Sequence, residues 1–353
     1  MSKKMLLISN LYPSENYPEY GTFVKEFVTG LNGLNWKISK IILTRKNGKF
    51  HKIMSYVSFL FKAWLSLNTN TDDITYIHYA SHSTIPLIVS RKQKFLVINV
   101  HGSDILPNRR SQKYFSFFAK YALLHADMIV VPSEYYKKVV LAKYKVADDL
   151  VFISPSGGVD SYFYRDRIHV PSKDKMVMGY VGRIEAAKGW RTLLSAINSI
   201  EKDNTHYLIF GSGSEEKKII SEIKKIGNPN IEYMGHIGHN KLQNVYQSLD
   251  WLIFPSESES ESLGLVGIES MATGTPIIAS DIGGIRTYAI HKKNALLFDS
   301  GNSKQLAYYL SLVKRMDLAE WQNYSNQAFF TAKKYEKKVV MEQLNAKLLS
   351  CIK

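Results

Sequence analysis

The sequence contains few of the residues that build disulfides, metal clusters or membrane spans. Cys351 is the one cysteine among 353 residues, which excludes an internal disulfide and a cysteine cluster for zinc or iron–sulfur. No run of about 18 uncharged apolar residues occurs, so no membrane-spanning helix is expected. The opening MSKKMLLISN has too short an apolar run for a signal peptide and no small-residue cleavage site, so we predict a strand there. These features indicate a cytoplasmic protein.

Two catalytic arrangements are also missing from the sequence. The acidic pairs at residues 72–73 and 148–149 are adjacent rather than spaced as metal ligands. We therefore expect them in turns and predict no metal site. No G-x-S-x-G motif follows a predicted strand, which argues against the exposed nucleophile of an α/β-hydrolase.

Apolar, β-rich runs alternate with helical patterns along the whole chain, which predicts parallel βαβ units. The length suits two domains of about 150–180 residues each. Six strands are predicted in each half of the chain: 5–9, 38–43, 74–78, 95–100, 128–131 and 150–153, then 177–181, 207–210, 231–233, 251–254, 276–279 and 295–298. We predict an α/β protein with Rossmann-like domains at residues 1–165 and 166–330, a linker within 160–175, and a C-terminal helix at 331–353 that returns to the first domain.

The basic charge is concentrated in the first half. Residues 1–165 hold 22 lysine and arginine residues against 11 aspartate and glutamate residues, whereas residues 166–353 hold 24 against 20. The stretches 45–65 and 109–124 interleave cations with aromatics, as do basic helices that lie on an anionic bilayer. We predict a membrane-facing surface that includes Arg109, Arg110 and Lys113. The alternative is that each helix buries its aromatics against its own sheet. No nucleic-acid-binding motif accompanies the charge, so nucleic acid is not an expected partner.

The most informative segment is FPSESESESLGLVGIESMATGTPIIASDIGG, residues 254–284. It places Glu261 in a polar loop after an apolar strand and Glu269 on a helix that opens at Gly264. Ligands of parallel α/β sheets bind beyond the carboxyl ends of strands, where helix N-termini favour phosphate. Two carboxylates beside such a position indicate recognition of the hydroxyls of a phosphorylated sugar.

Other candidate residues also follow predicted strands. Gly182, Arg183 and Lys188 lie in YVGRIEAAKGWRTLL (180–194), where two cations beside a helix N-terminus can clamp a diphosphate. The alternative is a pair of surface cations. A short G-x-G at Gly211 and Gly213 is weak support for a phosphate loop. In the first half, HGSD (101–104) directly follows a predicted strand and begins with His101, and Gly21-Thr22 precedes a helix able to face a phosphate.

Together these segments resemble the family-four retaining glycosyltransferases, which have the GT-B fold. The resemblance covers nearly the whole chain. Its parts occur in the family's order: Gly21-Thr22, HGSD, ADMIVVPSE (126–134), SGGVD (156–160), GRIEAAKG (182–189), GSG (211–213), YMGHIG (233–238), Glu261 with Glu269, and GTPIIASDIGG (274–284). The resemblance implies two Rossmann-like domains that face each other across a cleft, with the C-terminal helix packed back on the first.

The resemblance also implies roles for the candidate residues. Arg183 and Lys188 would hold the donor diphosphate, and Glu269 would bind the nucleotide ribose. Glu261 would contact a hydroxyl of the transferred sugar, although Glu257 and Glu259 precede it in the same loop. His101 would lie near the sugar and the leaving group. The remaining nucleotide-sugar contacts would come from Gly21, Thr22, Gly182, Gly211, Gly213, Gly264, and the N–H groups of Leu265 and Val266.

The implied enzyme is a retaining, metal-independent hexosyltransferase whose catalytic candidates are His101, Glu261, Arg183 and Lys188. Its donor would be a nucleoside-diphosphate sugar, with a UDP-hexose favoured over GDP-mannose, and it would need no cofactor. Its acceptor would be a polyprenyl-diphosphate-linked oligosaccharide in bacterial surface polysaccharide synthesis (O-antigen, lipopolysaccharide, capsule or exopolysaccharide), at the inner face of the cell membrane. Two other classes stay open: a non-catalytic GT-B subunit that binds a nucleotide sugar, and a GT-B nucleotide-sugar epimerase.

Overall fold

Strands and helices alternate along the chain as the sequence pattern predicts. A computed structural model describes residues 3–18, 20–107, 114–164, 170–171 and 175–352. The chain forms two units: Met1–Gly158 with Lys338–Lys353, and Val159–Lys337. We call them unit one and unit two. Of the described helices, none has the length and apolar character needed to cross a membrane.

Unit one is built on six parallel strands in the order β2-β1-β3-β4-β5-β6. The strands are β1 (Lys3–Tyr12), β2 (Trp36–Thr44), β3 (Ile74–His78), β4 (Leu96–Asn99), β5 (Met128–Val131) and β6 (Val151–Ile153). The helices are α1 (Thr22–Asn32), α2 (Lys49–Thr69), α3 (Ser116–Leu124), α4 (Glu134–Tyr144) and the C-terminal α11 (Lys337–Ser350).

The core of unit one follows from the alternation of side chains along its strands. In β1, Leu6 and Ile8 belong to one buried cluster, whereas Met5 and Leu7 belong to another. Successive side chains of a strand point to opposite faces, so both faces of this sheet are covered. The C-terminal helix contributes Met341, Leu344 and Leu348 to the second cluster, and Asn345 Oδ1 accepts a hydrogen bond of 2.8 Å from Trp36 Nε1. The predicted return of the C-terminal helix to the first domain is confirmed.

Unit two repeats this plan with six parallel strands in the order β12-β11-β10-β7-β8-β9. The strands are β7 (Val177–Val181), β8 (His206–Phe210), β9 (Ile231–Gly235), β10 (Trp251–Phe254), β11 (Ile277–Ser280) and β12 (Ala295–Phe298). The helices are α5 (Trp190–Ser199), α6 (Glu216–Ile226), α7 (Leu242–Gln247), α8 (Leu265–Ala272), α9 (Ser303–Val313) and α10 (Leu318–Ala332). The twelve predicted strands and the α/β prediction of two Rossmann-like domains are therefore confirmed.

The strand orders fix where a ligand is expected in each unit. Successive strands are added on one side of the first strand and then on the other, which leaves a crevice at the carboxyl ends where the order reverses. In unit two the reversal lies between β7 and β10, and in unit one it lies between β1 and β3. The loops that follow these four strands are the ones to search for a site.

The boundaries expected at residues 165, 330 and 331 differ from those of the structure. Phe163, in the expected linker, is fully buried in a cluster of unit two. At the other end, Ala332 belongs to the same cluster, and Val159 N donates to Tyr335 O at 2.7 Å. Unit two therefore begins at Val159 and ends at Lys337, because the apolar residues at both of its ends pack into its core.

Candidate functional site

The loops after β7 and β10 pack closely together at the reversal point of unit two. After β7 the chain makes a short 3-10 turn, Ala186–Lys188, and then enters α5 through Gly189. Gly189 has φ +70, and a Cβ there would lie 1.7 Å from the carbonyl oxygen of Pro255. Only glycine therefore allows the turn that carries Lys188 to approach the loop that follows β10.

Lys188 and Glu261 form an ion pair across these two loops. Lys188 Nζ lies 2.6 Å from Glu261 Oε2, and the side chains are 21% and 11% exposed. Ser256 Oγ donates to the same carboxylate oxygen at 2.9 Å. A third loop fixes the backbone, because Gly284 N donates to Glu261 O at 2.8 Å. The structure thus brings together the predicted diphosphate lysine and the predicted sugar-binding glutamate.

The structure also distinguishes Glu261 from the first glutamate of the same loop. Glu257 Oε1 accepts a hydrogen bond of 2.6 Å from Thr192 Oγ1 on α5, and Glu257 N donates to Ala187 O at 2.9 Å. Glu257 therefore holds the two loops together, whereas the Glu261 carboxylate meets the predicted diphosphate lysine. Glu261, which has the family spacing to Glu269, is thus the glutamate that meets Lys188.

Helix α8 begins beside this pair without a side-chain cap. Its N-cap is Gly264 at φ +79, which has no side chain to accept a hydrogen bond from the first turn. Gly267 N donates to Gly264 O, whereas the N–H groups of Leu265 and Val266 have no acceptor among the described residues. Uncapped amides and the helix dipole both favour an anion at this position. This is the position at which a donor phosphate is predicted.

Glu269 lies one turn further along α8 and is buried. Tyr246 donates to Glu269 Oε2 at 2.9 Å, and His239 Nε2 lies 3.5 Å from Oε1. Burial, and then the charge of Glu269, raises the pKa of Tyr246 well above its usual value. The phenol therefore stays protonated and donates a hydrogen bond to the carboxylate. The carboxylate is therefore held in a fixed orientation, as a ribose-binding group requires.

Arg183 does not join Lys188 in the described geometry. Its guanidinium is 67% exposed and pairs with Glu185 at 2.9 Å, while its carbonyl accepts a hydrogen bond from Tyr180. A surface pair of this kind contributes about 0–1 kcal/mol to stability, so an anionic ligand can readily replace Glu185 as the partner of Arg183. The predicted clamp of two cations is thus present as one partly buried lysine and one exposed arginine.

The glycines of the neighbouring turns serve close packing of the backbone. A Cβ on Gly211, at φ +141, would lie 1.8 Å from Gly182 O, and one on Gly213 would lie 2.5 Å from Ile184 O. The turns after β7 and β8 therefore touch through their main chains. Whether they also contact a nucleotide stays a prediction.

In unit one, two histidines meet beside the reversal point between β1 and β3. His78 ends β3 and His101 follows β4, and their Nδ1 and Nε2 atoms lie 2.9 Å apart. The ring of Phe23, on α1 just after Gly21-Thr22, lies 4.5 Å from that of His101 between centroids. Gly21 has φ +77 and its Cβ would lie 2.6 Å from the backbone of Leu11, so glycine is required where α1 begins. The structure therefore places Gly21, Thr22 and His101 at one edge of the sheet.

The two histidines are held neutral by burial. Burial lowers the pKa of His101 to about 3, and burial followed by the charge of His101 lowers the pKa of His78 well below its usual value. His78 Nε2 is buried with no hydrogen-bond partner among the described residues. Orphaned buried N–H groups are rarer than orphaned acceptors. We therefore assign the shared proton to His78 Nδ1, which leaves His101 a proton on Nδ1 to donate.

Asp104, the last residue of HGSD, holds the turn in place. It is buried and accepts hydrogen bonds from the backbone N–H groups of Ala80, His101 and Gly102 at 2.8–3.1 Å. Burial raises the pKa of Asp104, against the lowering effect of these backbone hydrogen bonds. The aspartate thus fixes the backbone of His101 and is not itself a candidate to contact a sugar.

Among the residues of the described site that were not predicted from the sequence are His78, His239 and Tyr246. His78 could have been found, since it ends a predicted strand, just as His101 directly follows one. Tyr246 carries no such signal, because it lies within a short helix and meets Glu269 only through the fold. The predicted membrane-facing residues Arg109, Arg110 and Lys113 lie outside the described residues.

Comparison with known proteins relates this chain to glycosyltransferases. Residues 165–329, which include Lys188, Glu261 and Glu269, match the family "Glycosyl transferases group 1". An uncharacterized glycosyltransferase of Methanocaldococcus jannaschii is 28% identical over 236 residues, which cover 66% of this chain and 63% of that protein. A processive diacylglycerol alpha-glucosyltransferase of Acholeplasma laidlawii is 25% identical over 245 residues, with coverages of 64% and 71%. This chain therefore matches less than two thirds of the length of the first relative.

Solved structures show the same fold over the whole chain. Sucrose-phosphate synthase from Thermosynechococcus elongatus has a TM-score of 0.80 at 18% identity, with 99% of this chain and 98% of that chain covered. Anabaena HepE in complex with UDP-glucose has a TM-score of 0.72 at 16% identity, with 99% of each chain covered. The chain has the GT-B fold, and residues 165–329, within its second unit, are similar to the group 1 glycosyltransferases. The GT-B fold that the resemblance implies is confirmed.

Proposed function

We propose that this protein is a retaining, metal-independent glycosyltransferase that moves a hexose from a nucleoside-diphosphate sugar to a lipid-linked oligosaccharide. The observation that carries the proposal is the Lys188–Glu261 ion pair of 2.6 Å at the reversal point of unit two, beside the uncapped start of α8. In a nucleotide sugar, the phosphates can bind the cation and the free amides, and a sugar hydroxyl can donate a hydrogen bond to the carboxylate. A fold alone would not specify this chemistry.

In this proposal different residues of unit two bind different parts of the donor. Lys188 and the N–H groups of Leu265 and Val266 bind the diphosphate, and Arg183 leaves Glu185 to join them. Glu261 accepts a hydrogen bond from a hydroxyl of the sugar, and Glu269 accepts hydrogen bonds from the ribose. Gly182, Gly211 and Gly213 let the backbone approach the ligand. Unit two is thus the donor-binding domain, and unit one, with His101, is the acceptor-binding domain.

The reaction breaks the bond between the sugar C1 and the diphosphate oxygen, and the electron pair of that bond stays on the diphosphate. The acceptor oxygen attacks C1 from the face that the diphosphate leaves, and its proton passes to a diphosphate oxygen. The negative charge that develops on the leaving group is what Lys188, Arg183 and the α8 amides stabilise. Fixed charges and dipoles of this kind commonly supply the largest part of catalysis.

Two finer assignments concern donor and acceptor. We favour a UDP-hexose over GDP-mannose as donor, which the structural similarity to Anabaena HepE, solved with UDP-glucose, supports. We favour a polyprenyl-diphosphate-linked acceptor in bacterial surface polysaccharide synthesis, with the enzyme peripheral on the inner face of the cell membrane. The relative that acts on diacylglycerol supports a lipid acceptor.

A thermal-shift panel tests the donor site without knowledge of the acceptor. UDP-, GDP- and dTDP-hexoses are compared at a fixed concentration, since a ligand at 100 times its Kd stabilises the folded state by about 2.7 kcal/mol. We expect one nucleoside diphosphate to raise the melting temperature by several degrees, and Glu269→Ala to remove that rise. If no nucleotide sugar shifts the transition of the wild-type protein, the proposed function is wrong.

A further inference from the structure

Helix α2 presents an apolar face to solvent. Its exposed side chains recur at spacings of three and four residues, so they form one stripe along the helix. Phe50 is 71% exposed and Phe61 is 60% exposed. The other members of this stripe are Ile53, Met54, Val57, Trp64 and Leu65. The buried residues of α2 are Phe59, Ala63 and Leu67, which lie on the opposite side.

This exposed stripe favours the membrane-facing interpretation of residues 45–65 over burial of the aromatics against the sheet. A helix that merely packs on its own sheet would bury its aromatics, whereas α2 buries Phe59 and leaves Phe50 and Phe61 in solvent. The apolar surface extends onto the neighbouring 3-10 turn, where Val89 is exposed and its carbonyl accepts a hydrogen bond of 3.3 Å from Trp64 Nε1. Contiguous exposed apolar surface of this kind commonly marks an interaction site.

A cavity of about 380 Å³ opens where α2 begins. Four cations line it: Arg45, Lys46, Lys49 and Lys52. The described lining includes no carboxylate, and none of the four cations forms an ion pair with a described carboxylate. Hydroxyl and amide groups complete the wall, contributed by Asn10, Tyr20, Thr44, Asn47, Ser55 and Tyr56.

Arg45 is held in place within this cavity. Its guanidinium lies 4.6 Å from the ring centroid of Tyr17, an arrangement that orients the planar group. The cavity lies beyond the carboxyl ends of β1 and β2, whose last residues and following loops supply part of its lining. Four cations in one concave site repel one another, so the site favours an anion of several charges over an anion of one.

We infer that this cavity binds the diphosphate of a lipid-diphosphate acceptor while the apolar stripe of α2 lies in the bilayer surface beside it. The inference rests on the proposed function, because it gives the lipid-linked acceptor its place in unit one. A phosphodiester lipid carries one negative charge, whereas a diphosphate carries two or more and can engage several of the four cations. The stripe begins at Phe50, next to Lys49 in the cavity wall. Helix α2 thus contacts the diphosphate head group through its first turns and the hydrocarbon of the bilayer through its apolar stripe.

Vesicle binding tests the inference on the full chain. Phosphatidylcholine vesicles carry either a long-chain polyprenyl diphosphate or phosphatidylglycerol at equal surface charge, and co-sedimentation measures the bound fraction. We expect the wild-type protein to bind the diphosphate vesicles at least tenfold more tightly. Equal binding to both kinds of vesicle would mean that the protein responds only to the surface charge of the vesicle. That result would overturn the inference.

Two variant pairs identify the residues responsible. The cavity variant Lys46→Gln/Lys52→Gln should lose the preference for diphosphate vesicles, whereas Lys217→Gln/Lys224→Gln, on the exposed face of α6, should keep it. The stripe variant Phe50→Ser/Phe61→Ser should lose binding to both vesicles. Its control is Tyr308→Ser/Phe330→Ser, which removes side chains of similar exposure, 61% and 60%, from unit two. Unchanged binding by the cavity variant, with its melting temperature preserved, refutes the assignment.

The vesicle experiment and the donor thermal-shift panel can fail independently of each other. The donor panel contains no lipid and reports on Lys188, Glu261 and Glu269 in unit two, whereas the vesicle experiment contains no nucleotide sugar. Donor binding without diphosphate-lipid binding would overturn the acceptor site alone. Diphosphate-lipid binding without donor binding would overturn the proposed transferase and leave a lipid-binding unit one.

Discussion

Replacement of Lys188 by alanine should abolish most of the transfer activity while leaving the protein folded. Its ammonium is predicted to bind the donor diphosphate, and a hydrogen bond to a charged group contributes about 1.5–3 kcal/mol. At about 1.4 kcal/mol for each factor of ten in rate, the loss corresponds to a decrease of roughly 10- to 150-fold in kcat/KM for the donor. Lys188→Arg keeps the charge and should retain more activity than the alanine variant.

The same replacement also has a cost in stability that can be estimated from the ion pair. Lys188 is 21% exposed and Glu261 is 11% exposed. The pair therefore lies between exposed pairs, which contribute about 0–1 kcal/mol, and buried pairs, whose disruption costs about 3–5 kcal/mol. We expect a loss of about 1–2 kcal/mol, because Ser256 still donates to the carboxylate of Glu261.

Lys314 provides a matched control for this experiment. Its side chain is 17% exposed and pairs with Asp203 at 2.9 Å, but Asp203 precedes β8 and so lies at the amino end of the sheet, away from the proposed site. Lys314→Ala should lower the melting temperature without changing donor turnover. The assay measures the release of nucleoside diphosphate from the donor panel, together with thermal unfolding. Wild-type turnover by Lys188→Ala, or an equal loss of turnover in Lys314→Ala, would refute the reasoning.

Three further predictions concern Gly189, Tyr246 and His78. Gly189→Ala should destabilise the protein by more than about 2 kcal/mol, because left-handed backbone strain of roughly 1–2 kcal/mol adds to a Cβ placed 1.7 Å from Pro255 O. Gly227→Ala, with φ +59 and an unobstructed Cβ, should show the strain alone in urea denaturation, and equal losses would contradict the packing argument. Tyr246→Phe should raise KM for the donor with little change in kcat, since it frees Glu269 from its orienting hydrogen bond in ground and transition states alike. Tyr207→Phe, whose buried hydroxyl has no hydrogen-bond partner among the described residues, should leave KM unchanged, and a similar change in both variants would count against the ribose role. Below pH 6.5 the unfolded chain protonates His78 and the folded chain does not, so stability should fall with decreasing pH by up to about 1.4 kcal/mol per pH unit. His78→Gln should reduce that slope, and an unchanged slope would show that His78 titrates normally.

The fold and part of the site could be predicted from the sequence because they depend on local patterns. Runs such as MIVV (128–131) and WLIF (251–254) are apolar without alternation, as strands buried on both faces must be. The glycines at 189 and 264 mark the starts of helices, and both are N-caps in the left-handed conformation. Residues that follow a strand are brought to one edge by the parallel sheet, so the meeting of Lys188 with Glu261 could be expected in outline.

The remaining features depend on contacts between distant segments, which no local pattern specifies. Arg183 was predicted to act beside Lys188, but it pairs with Glu185 two residues away. The pairing of Tyr246 with Glu269 depends on how α7 packs against α8. The direction of the apolar face of α2 could not be decided from its periodicity, because an amphipathic helix has the same period whether its apolar face points inward or outward.

The most direct test of the central claim is amide hydrogen exchange of the full chain with and without UDP. In the proposed site the diphosphate binds the N–H groups of Leu265 and Val266 and the ammonium of Lys188. Exchange should therefore be slower in peptides that cover residues 183–190 and 262–270, with no change at the amino end of the same sheet near Asp203. Binding of UDP that leaves exchange in both of these segments unchanged would contradict the claim that the reversal point between β7 and β10 is the donor site.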